Sequence, residues 1–413
     1  MTSSEGSTTP LPESGRMNAR AIKNVAVLGA GTMGHGIAQL AAQIGCNVVL
    51  HDVEDRFVDS GLDKIKWSLG KLVERKRISE EQARVVLLRI RKTTDLKVAV
   101  SESDLVIEAT PEVMELKREL FGSVDRYALP DAILASNTSS LPIDEMAKAT
   151  TRPQNVVGMH FFNPAQLMRL VEIILGTQTA YWVGQTAIEF AKGLGKETIV
   201  CRKYVPGFVV NNVLHALGRV PMVMFVSGDA TAEEIDSALI YKAGFPMGIF
   251  ELRDYSGIDV GYNVQKLFES HGYPPDPASP LKKMVEEGRL GAKTGRGFYE
   301  WKGGQKPKIS ADAGERIDIT PIVASGVNAA AELIRQGIAT SEDIDKGMRL
   351  GLGFPKGILA MGDEIGLDRL VESLTLFDEK HGRKGRQLSP LLLGLVQDGK
   401  LGKKTGRGFY DYG

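Results

Sequence analysis

Short apolar runs alternate with helical periodicity along the first half of the chain. Residues 22–28 read I-K-N-V-A-V-L, and residues 47–50 form a second apolar run ending at His51 and Asp52. Between them, small and apolar residues recur at helical spacing from Gly34 to Ile44. A short continuous apolar run bounded by glycine reads as a buried strand, and a 3.6-residue period as a helix. The same reading gives strands over 105–109, 132–135, 156–161, 170–175 and 197–200, with helices ending at Tyr127 and spanning 178–194. Strands alternating with helices predict a mostly parallel sheet covered on both faces, here an α/β domain over 21–203.

Residues 55–91 are helical in pattern and strongly charged. Two antiparallel helices are expected, breaking near 77–79, with Ser79 followed by Glu80 and Glu81 as a helix start. The cluster Lys71, Glu74, Arg75, Lys76, Arg77 admits two readings, a solvated helical face or a landing site for a phosphorylated ligand.

Beyond 203 the pattern becomes helical with Gly/Pro turns, and it repeats. G-D-A-T-A-E-E-I-D from Gly228 is echoed by G-I-A-T-S-E-D-I-D from Gly337, and G-F-P-M-G from Gly244 by G-F-P-K-G from Gly353. L-G-A-K-T-G-R-G-F-Y from Leu290 returns as L-G-K-K-T-G-R-G-F-Y from Leu401. The offset is 109 residues, becoming 111 after a small insertion. Ordered matches of this length mark a tandem all-α unit, with copies over 204–302 and 315–413 and a polar linker over 303–314. The copies differ where they begin. The first reads V-P-G-F-V-V-N from Val205; at the same offset Asn211 faces Thr320 and the Pro-Gly-Phe lead-in is missing. The first copy is therefore expected to touch the functional site and the second to be mostly structural.

Composition removes some classes of partner. Lys+Arg and Asp+Glu are both 51, so the global charge gives no pull toward nucleic acid or an anionic membrane. No apolar run approaches the ~20 residues of a membrane span. Residues 1–20 are polar and rich in Pro, Ser and Thr, which predicts a disordered tail, with Met17 as a second candidate start. Cys46 and Cys201 lie far apart with no C-x-x-C, which argues against a disulfide scaffold or a zinc site and fits a reducing cytoplasm.

Candidate chemistry begins at Gly29-Ala30-Gly31-Thr32-Met33-Gly34, a G-x-G-x-x-G between the first strand and its helix. Glycines there allow a tight turn and let backbone N–H groups reach a pyrophosphate at the helix N-terminus. Asp52 follows Gly34 by 18 residues, where its carboxylate can accept hydrogen bonds from an adenosine ribose and repel a 2′-phosphate, favouring NAD over NADP. Strand, loop, helix, strand and acid in this order specify a Rossmann-type NAD site. Glu112 and Lys117 straddle a strand end and the next helix, at the carboxyl edge where such sheets bind ligands.

The second half of the chemistry is S-N-T-S-S-L from Ser136 and G-M-H-F-F-N-P from Gly158. Oxidising a secondary alcohol removes a hydride, which nicotinamide accepts, and a proton, which needs a base. Histidine titrates near neutrality, and His160 ends an apolar strand. Glu172, twelve residues on, can orient the ring and stabilise the imidazolium. Ser139 and Asn211 can donate hydrogen bonds to substrate oxygens. Singly, each has a bland reading as core histidine, surface acid or helix cap; downstream of a dinucleotide loop they form a coherent set.

These residues resemble the L-3-hydroxyacyl-CoA dehydrogenase family. The resemblance is carried by V-L-G-A-G-T-M-G-H-G-I-A-Q, S-N-T-S-S-L, G-M-H-F-F-N-P, L-V-E-I-I, P-G-F-V-V-N, D-Y-S-G-I-D and K-T-G-R-G-F-Y, from Ile22 to the C-terminus. It implies NAD-dependent oxidation of (3S)-3-hydroxyacyl-CoA to 3-oxoacyl-CoA. It places the catalytic pair on His160 and Glu172 and the substrate contacts on Ser139 and Asn211. NAD contacts fall on the Gly29–Gly34 loop, Asp52, Glu112, Lys117, Asn137, Asn163 and Lys293, and CoA contacts on Ser68 and on Arg75 or Lys76. After H-F-F-N-P the chain reads A-Q-L, where members vary, so acyl-chain length stays open between a short chain such as 3-hydroxybutyryl-CoA and 3-hydroxyadipyl-CoA. A non-catalytic NAD-binding relative is the alternative of a different class. Single-copy members resemble dimers joined through the helical domain, so the second copy is expected to form an internal pseudo-dimer, in a monomer or a homodimer.

Overall fold

The computed structural model describes residues 19–273, 279–383 and 387–413. The tail expected to be disordered lies outside these residues except at its end. There Arg20 is already anchored: its N–H donates to Thr186 Oγ1 (3.0 Å) and its guanidinium to Asp131 (2.7 Å), so ordered chain begins earlier than residue 21.

The apolar runs form one eight-stranded sheet: β1 (Asn24–Leu28), β2 (Asn47–His51), β3 (Ile90–Thr93), β4 (Leu105–Glu108), β5 (Ile133–Ser136), β6 (Val156–Phe161), β7 (Leu170–Leu175) and β8 (Glu197–Cys201). Their order is β3-β2-β1-β4-β5-β6-β7-β8. Pairing is parallel except between β6 and β7, which run antiparallel with His160 opposite Glu172. β1, β4 and β5 are buried nearly throughout, as expected of strands covered on both faces.

Helices α1 (Gly34–Gln43), α2 (Asp55–Glu74) and α3 (Glu80–Leu88) follow the dinucleotide loop, and α2 and α3 are the expected hairpin. Ser79 caps α3 by a reciprocal exchange with Gln82. The helical pattern expected to 91 stops at Leu88, because 90–93 is recruited as the edge strand β3 beside β2. Helices α4 (Leu96–Val100), α5 (Met114–Tyr127), α6 (Ile143–Ala147) and α7 (Tyr181–Gly193) complete this part.

The first helical repeat comprises α8 (Val210–Val226), α9 (Ala232–Tyr241), α10 (Ile249–Ser256), α11 (Ile258–Ser270) and α12 (Leu281–Glu286). The second comprises α13 (Thr320–Arg335), α14 (Ser341–Leu352), α15 (Ile358–Ile365), α16 (Leu367–Lys380) and α17 (Pro390–Gln397). The repeats meet about a local two-fold axis. Phe245 stacks on its counterpart Phe354 with centroids 3.7 Å apart. Gly244 faces Pro355, and Gly353 faces Pro246, in reciprocal contact. Such residue-for-counterpart contact is the signature of an isologous interface. Their buried core is continuous with the face of the sheet that carries α4, α5 and α6. The opposite face packs separately under α1, α2 and α7.

Candidate active site

The glycine loop is held from both sides of the sheet's switch point. Gly29 N–H donates to His51 O (2.8 Å), tying β1 to β2. Gly29 has φ +102°, and a Cβ there would stand 2.5 Å from Ala109 O; at Gly34 a Cβ would stand 1.7 Å from Gly29 O. Only glycine fits either place. A Cβ at Gly31 would meet nothing within 4 Å, so the loop is open on that side. Helix α1 starts with no side-chain cap and no acid in its first turn, leaving its N–H groups and dipole to a phosphate. Asp52 Oδ2 accepts from Ala30 N–H (2.8 Å), which puts the carboxylate beside the loop at the end of β2. These residues fit a dinucleotide.

Behind the next strand end lies a polar cluster that the sequence did not disclose. Glu108 closes β4, is buried, and accepts from Lys117 Nζ (2.6 Å), Thr110 N–H (2.6 Å) and Ser136 Oγ (2.5 Å). Lys117, expected as a cofactor contact, is 1 % exposed. Its ammonium is engaged by Glu108, by Thr110 O (3.3 Å) and by Glu112 Oε2 (3.4 Å). Glu112 in turn gathers the S-N-T-S-S loop: Thr138 Oγ1 (2.6 Å), Ser139 N–H (2.9 Å), Ser139 Oγ (3.1 Å) and Ser140 Oγ (3.2 Å) all donate to its Oε1. Burial pushes the Glu112 carboxyl up, but the Lys117 charge and these hydrogen bonds outweigh it and hold it below the usual carboxylate range.

The antiparallel β6–β7 pair carries the candidate base. His160 Nδ1 lies 3.1 Å from Glu172 Oε2. A carboxylate only accepts, so Nδ1 carries the proton and the Nε2 lone pair faces away from Glu172. Glu172 is fully buried, and its second oxygen is not idle. Val209 N–H (2.6 Å) and Val210 N–H (3.4 Å), at the start of α8, donate to Oε1. The P-G-F-V-V segment achieves this by placing Gly207 (φ +73°) and Phe208 (φ +55°) in the left-handed region, which is uncommon for phenylalanine and turns the next two amides toward the carboxylate. A helix N-terminus thus bears on the carboxylate that orients the imidazole. Phe162 and Phe208 flank the imidazole, with centroids 4.5 and 6.1 Å away.

At the second residue of α8, Asn211 Nδ2 donates to Ser139 O (3.4 Å). Asn137 Oδ1 accepts from Phe161 N–H (2.8 Å), pinning the serine loop to β6. Asn163 is exposed just past β6. Tyr204, which carried no sequence signal of its own, donates its hydroxyl to Ser140 O (3.1 Å); burial holds that phenol protonated. Lys293 pairs with Asp259 of its own repeat (2.6 Å), and the counterpart Lys404 pairs with Asp368 in the same way, so the repeat scaffold accounts for this contact. Ser68 is half-buried on α2, while Arg75 and Lys76 are exposed where α2 ends. Gly61 lets α2 cross close to Ala30, keeping that hairpin beside the dinucleotide loop.

A dinucleotide-type glycine loop and a histidine–carboxylate pair carried by one sheet point to the class of nicotinamide-dependent dehydrogenases. Residues 24–204 match the family described as 3-hydroxyacyl-CoA dehydrogenase, NAD binding domain. Residues 207–301 and 320–412 each match the family's C-terminal domain. The chain belongs to the 3-hydroxyacyl-CoA dehydrogenase family and is an NAD-dependent oxidoreductase. It is 40 % identical over 289 residues to hydroxyacyl-coenzyme A dehydrogenase, mitochondrial, of Homo sapiens, covering 68 % of this chain and 92 % of that one. It is 41 % identical to a probable 3-hydroxybutyryl-CoA dehydrogenase of Deinococcus radiodurans, covering 67 % of this chain and 99 % of that one. Among solved structures, 3-hydroxybutyryl-CoA dehydrogenase from Escherichia coli K12 superposes with a TM-score of 0.83 at 28 % identity, covering 92 % of this chain and all of that one. Among the described residues no helix is long and apolar enough to cross a membrane.

Proposed function

We propose that the protein interconverts (3S)-3-hydroxyacyl-CoA and 3-oxoacyl-CoA, with a short acyl chain such as 3-hydroxybutyryl. The observation that carries this reading is the buried His160–Glu172 pair, polarised by the start of α8. NAD supplies a hydride acceptor when bound. His160 Nε2 takes the hydroxyl proton, and the charge that develops on the imidazole is balanced by Glu172 at Nδ1. Ser139 and Asn211 hold the substrate oxygen. Glu112 binds Ser139 through both its N–H and its hydroxyl, so it fixes where that donor points. Asp52 receives the adenosine ribose and the Gly29–Gly34 loop the pyrophosphate. Ser68 and the basic end of α2, at Arg75 and Lys76, receive the CoA phosphates.

Short-chain preference is supported by the relatives named 3-hydroxybutyryl-CoA dehydrogenase. NADH oxidation with acetoacetyl-CoA, followed at 340 nm, tests the reaction, and a 3-oxoacyl-CoA panel from four to sixteen carbons with a dicarboxylyl-CoA tests the chain length. No turnover on any of them, beside an active control enzyme, rejects the proposal.

The second repeat takes the place of a dimer partner. The human and Deinococcus relatives are matched over almost their whole length by about two thirds of this chain, and the reciprocal Phe245–Phe354 contact already satisfies the isologous surface internally. Light scattering after size exclusion is expected to give a monomer of 44.8 kDa. An obligate dimer at nanomolar concentration overturns this.

A further inference from the structure

Half of the duplicated unit has no role in the chemistry described so far. We propose that helix α14 of the second repeat positions the His160–Glu172 pair, bearing on it through Phe162 and Val210, with Gly351 and Gly347 as the points of contact. The inference rests on the dehydrogenase reading above.

Helix α14 lies against the back of β7 and β8. Asp343 accepts from Val200 N–H (3.5 Å), and Lys346 Nζ donates to Thr198 O (3.3 Å). Just before the helix, Ile338 O accepts from Arg202 N–H (2.8 Å). The approach is close enough that side chains are excluded from one face. A Cβ at Gly351 would stand 3.0 Å from Phe162 Cε1 and 3.0 Å from Leu170 Cδ2. A Cβ at Gly347 would stand 2.8 Å from Val210 Cγ2 and 2.9 Å from Ile199 Cδ1. Carbon atoms rest about 3.5–4.0 Å apart, so neither site admits a methyl without displacing its neighbour.

Those neighbours are the ones that hold the pair. Phe162 is buried with its ring 4.5 Å from the His160 ring. Val210 gives its N–H to Glu172, and Ile199 is the register partner of Glu172 in β8. One helix therefore backs the base and its carboxylate, each through a single intervening side chain. Close-packed interiors transmit such displacements rather than absorbing them.

The first repeat shows that this fit is not a general property of the unit. At the positions equivalent to Gly351 and Gly347 it carries Lys242 and Ala238. There the helix meets the end of the linker and the first residues after it: Lys242 Nζ donates to Glu315 O (2.7 Å) and Ile317 O (2.9 Å), and it is Gly314 of the linker that makes room for Ala238. The small residues occur in the copy that faces the sheet.

The test compares turnover of acetoacetyl-CoA and NADH by the full-length chain and its variants. Gly351→Val is expected to lower kcat about 10- to 100-fold, the scale of a sub-ångström to 1 Å misplacement of a catalytic group, to alter the pH dependence of kcat, and to leave KM for NADH within about twofold. Gly351→Ala is expected to act in the same direction with smaller size, and it decides the matter if the valine variant does not fold. In a Phe162→Leu background, where the ring is gone, Gly351→Val is expected to cost far less than in the wild type. Gly362→Ala crowds Val327 inside the second repeat (2.9 Å from Cβ to Cγ2) and is expected to lower Tm while leaving kcat and its pH dependence unchanged. Wild-type kcat and pH dependence in Gly351→Val overturn the inference alone, as does a matching loss in Gly362→Ala. A wild-type chain without turnover overturns the dehydrogenase reading, and this inference with it.

Discussion

Replacing Glu172 by glutamine changes one oxygen to an amide and nothing in size, and the structure says which way the amide must turn. Oε1 accepts from Val209 N–H at 2.6 Å, and a backbone donor cannot be reversed. An amide nitrogen placed there would face a donor and leave a buried N–H unsatisfied, at about 1–3 kcal/mol. The glutamine oxygen therefore keeps the α8 side, and its NH2 points at His160 Nδ1. Nδ1 must then accept, the ring proton moves to Nε2, and the lone pair needed to take the substrate proton is gone. The charge that would balance an imidazolium is lost as well. Substitutions that force the wrong tautomer in acyl-transfer triads cost on the order of 10⁴ in kcat. A loss of about 10³–10⁴-fold, or about 4–5.5 kcal/mol in barrier, is expected for Glu172→Gln. NADH binding, followed by its fluorescence, should be unchanged. Turnover of acetoacetyl-CoA at 340 nm is the assay. A kcat within roughly threefold of wild type would refute the tautomer argument and remove Glu172 from the mechanism.

Lys117→Met leaves Glu108 buried without its cation and should destabilise the fold by about 3–5 kcal/mol, read from urea unfolding; a loss below about 1 kcal/mol would mean that Thr110 and Ser136 suffice to hold that charge. Asp52→Ala should weaken NAD binding at least about tenfold, or about 1.4 kcal/mol, and narrow the gap to NADP, measured by titration of both; unchanged NAD affinity would reject its ribose role. His215, on α8 and stacked on Phe268, is driven down to about 3 by burial and by Arg253 and Arg219. The native imidazole stays neutral while the unfolded chain takes up a proton near 6.5, so its contribution is intact above that pH and is lost as pH falls toward about 3. Stability should fall by up to about 1.4 kcal/mol per pH unit below 6 from this group, and His215→Phe should flatten that slope between pH 6 and 5; an identical slope would reject it.

Much of this was written in periodicity and glycines. The apolar runs at 156–161 and 170–175 coincide with β6 and β7, and the loop at Gly29 is where its spacing put it. The repeat offset predicts every pairing from α9/α14 to α12/α17. What was hidden depends on contacts between distant segments. β3 is a short polar strand, IRKT, that exists because β2 offers an edge. Glu108 reads as one more residue of an apolar strand until Lys117 and Ser136 fold onto it. The amides of Val209 and Val210 leave no trace in side-chain chemistry, though Pro-Gly-Phe before them was a signal of unusual backbone. Lys117 was singled out by its place at a strand's carboxyl end, and that position does not disclose the buried Glu108 with which its ammonium pairs.

The two repeats also show where a duplicated sequence is free to drift. Positions that look inward, or across the two-fold axis, keep their chemistry. Asp236 and Asp345 each accept two backbone N–H groups and a tyrosine hydroxyl, from Tyr299 and Tyr410. Asp254 and Asp363 each bind the turn of the K-T-G-R-G-F-Y loop. Divergence is found where the copies meet different neighbours. Asn211 reaches the serine loop, whereas Thr320 begins a helix with no such loop before it. Lys242 and Ala238 meet a linker, whereas Gly351 and Gly347 meet the sheet. In a dimer of identical chains each of these positions would have to serve both surroundings at once. Tandem fusion removes that constraint, because each copy then answers to one set of contacts. Asn211 against Thr320 and Gly351 against Lys242 are two differences of this kind: one copy gives a polar contact to the serine loop, and the other packs closely on the sheet.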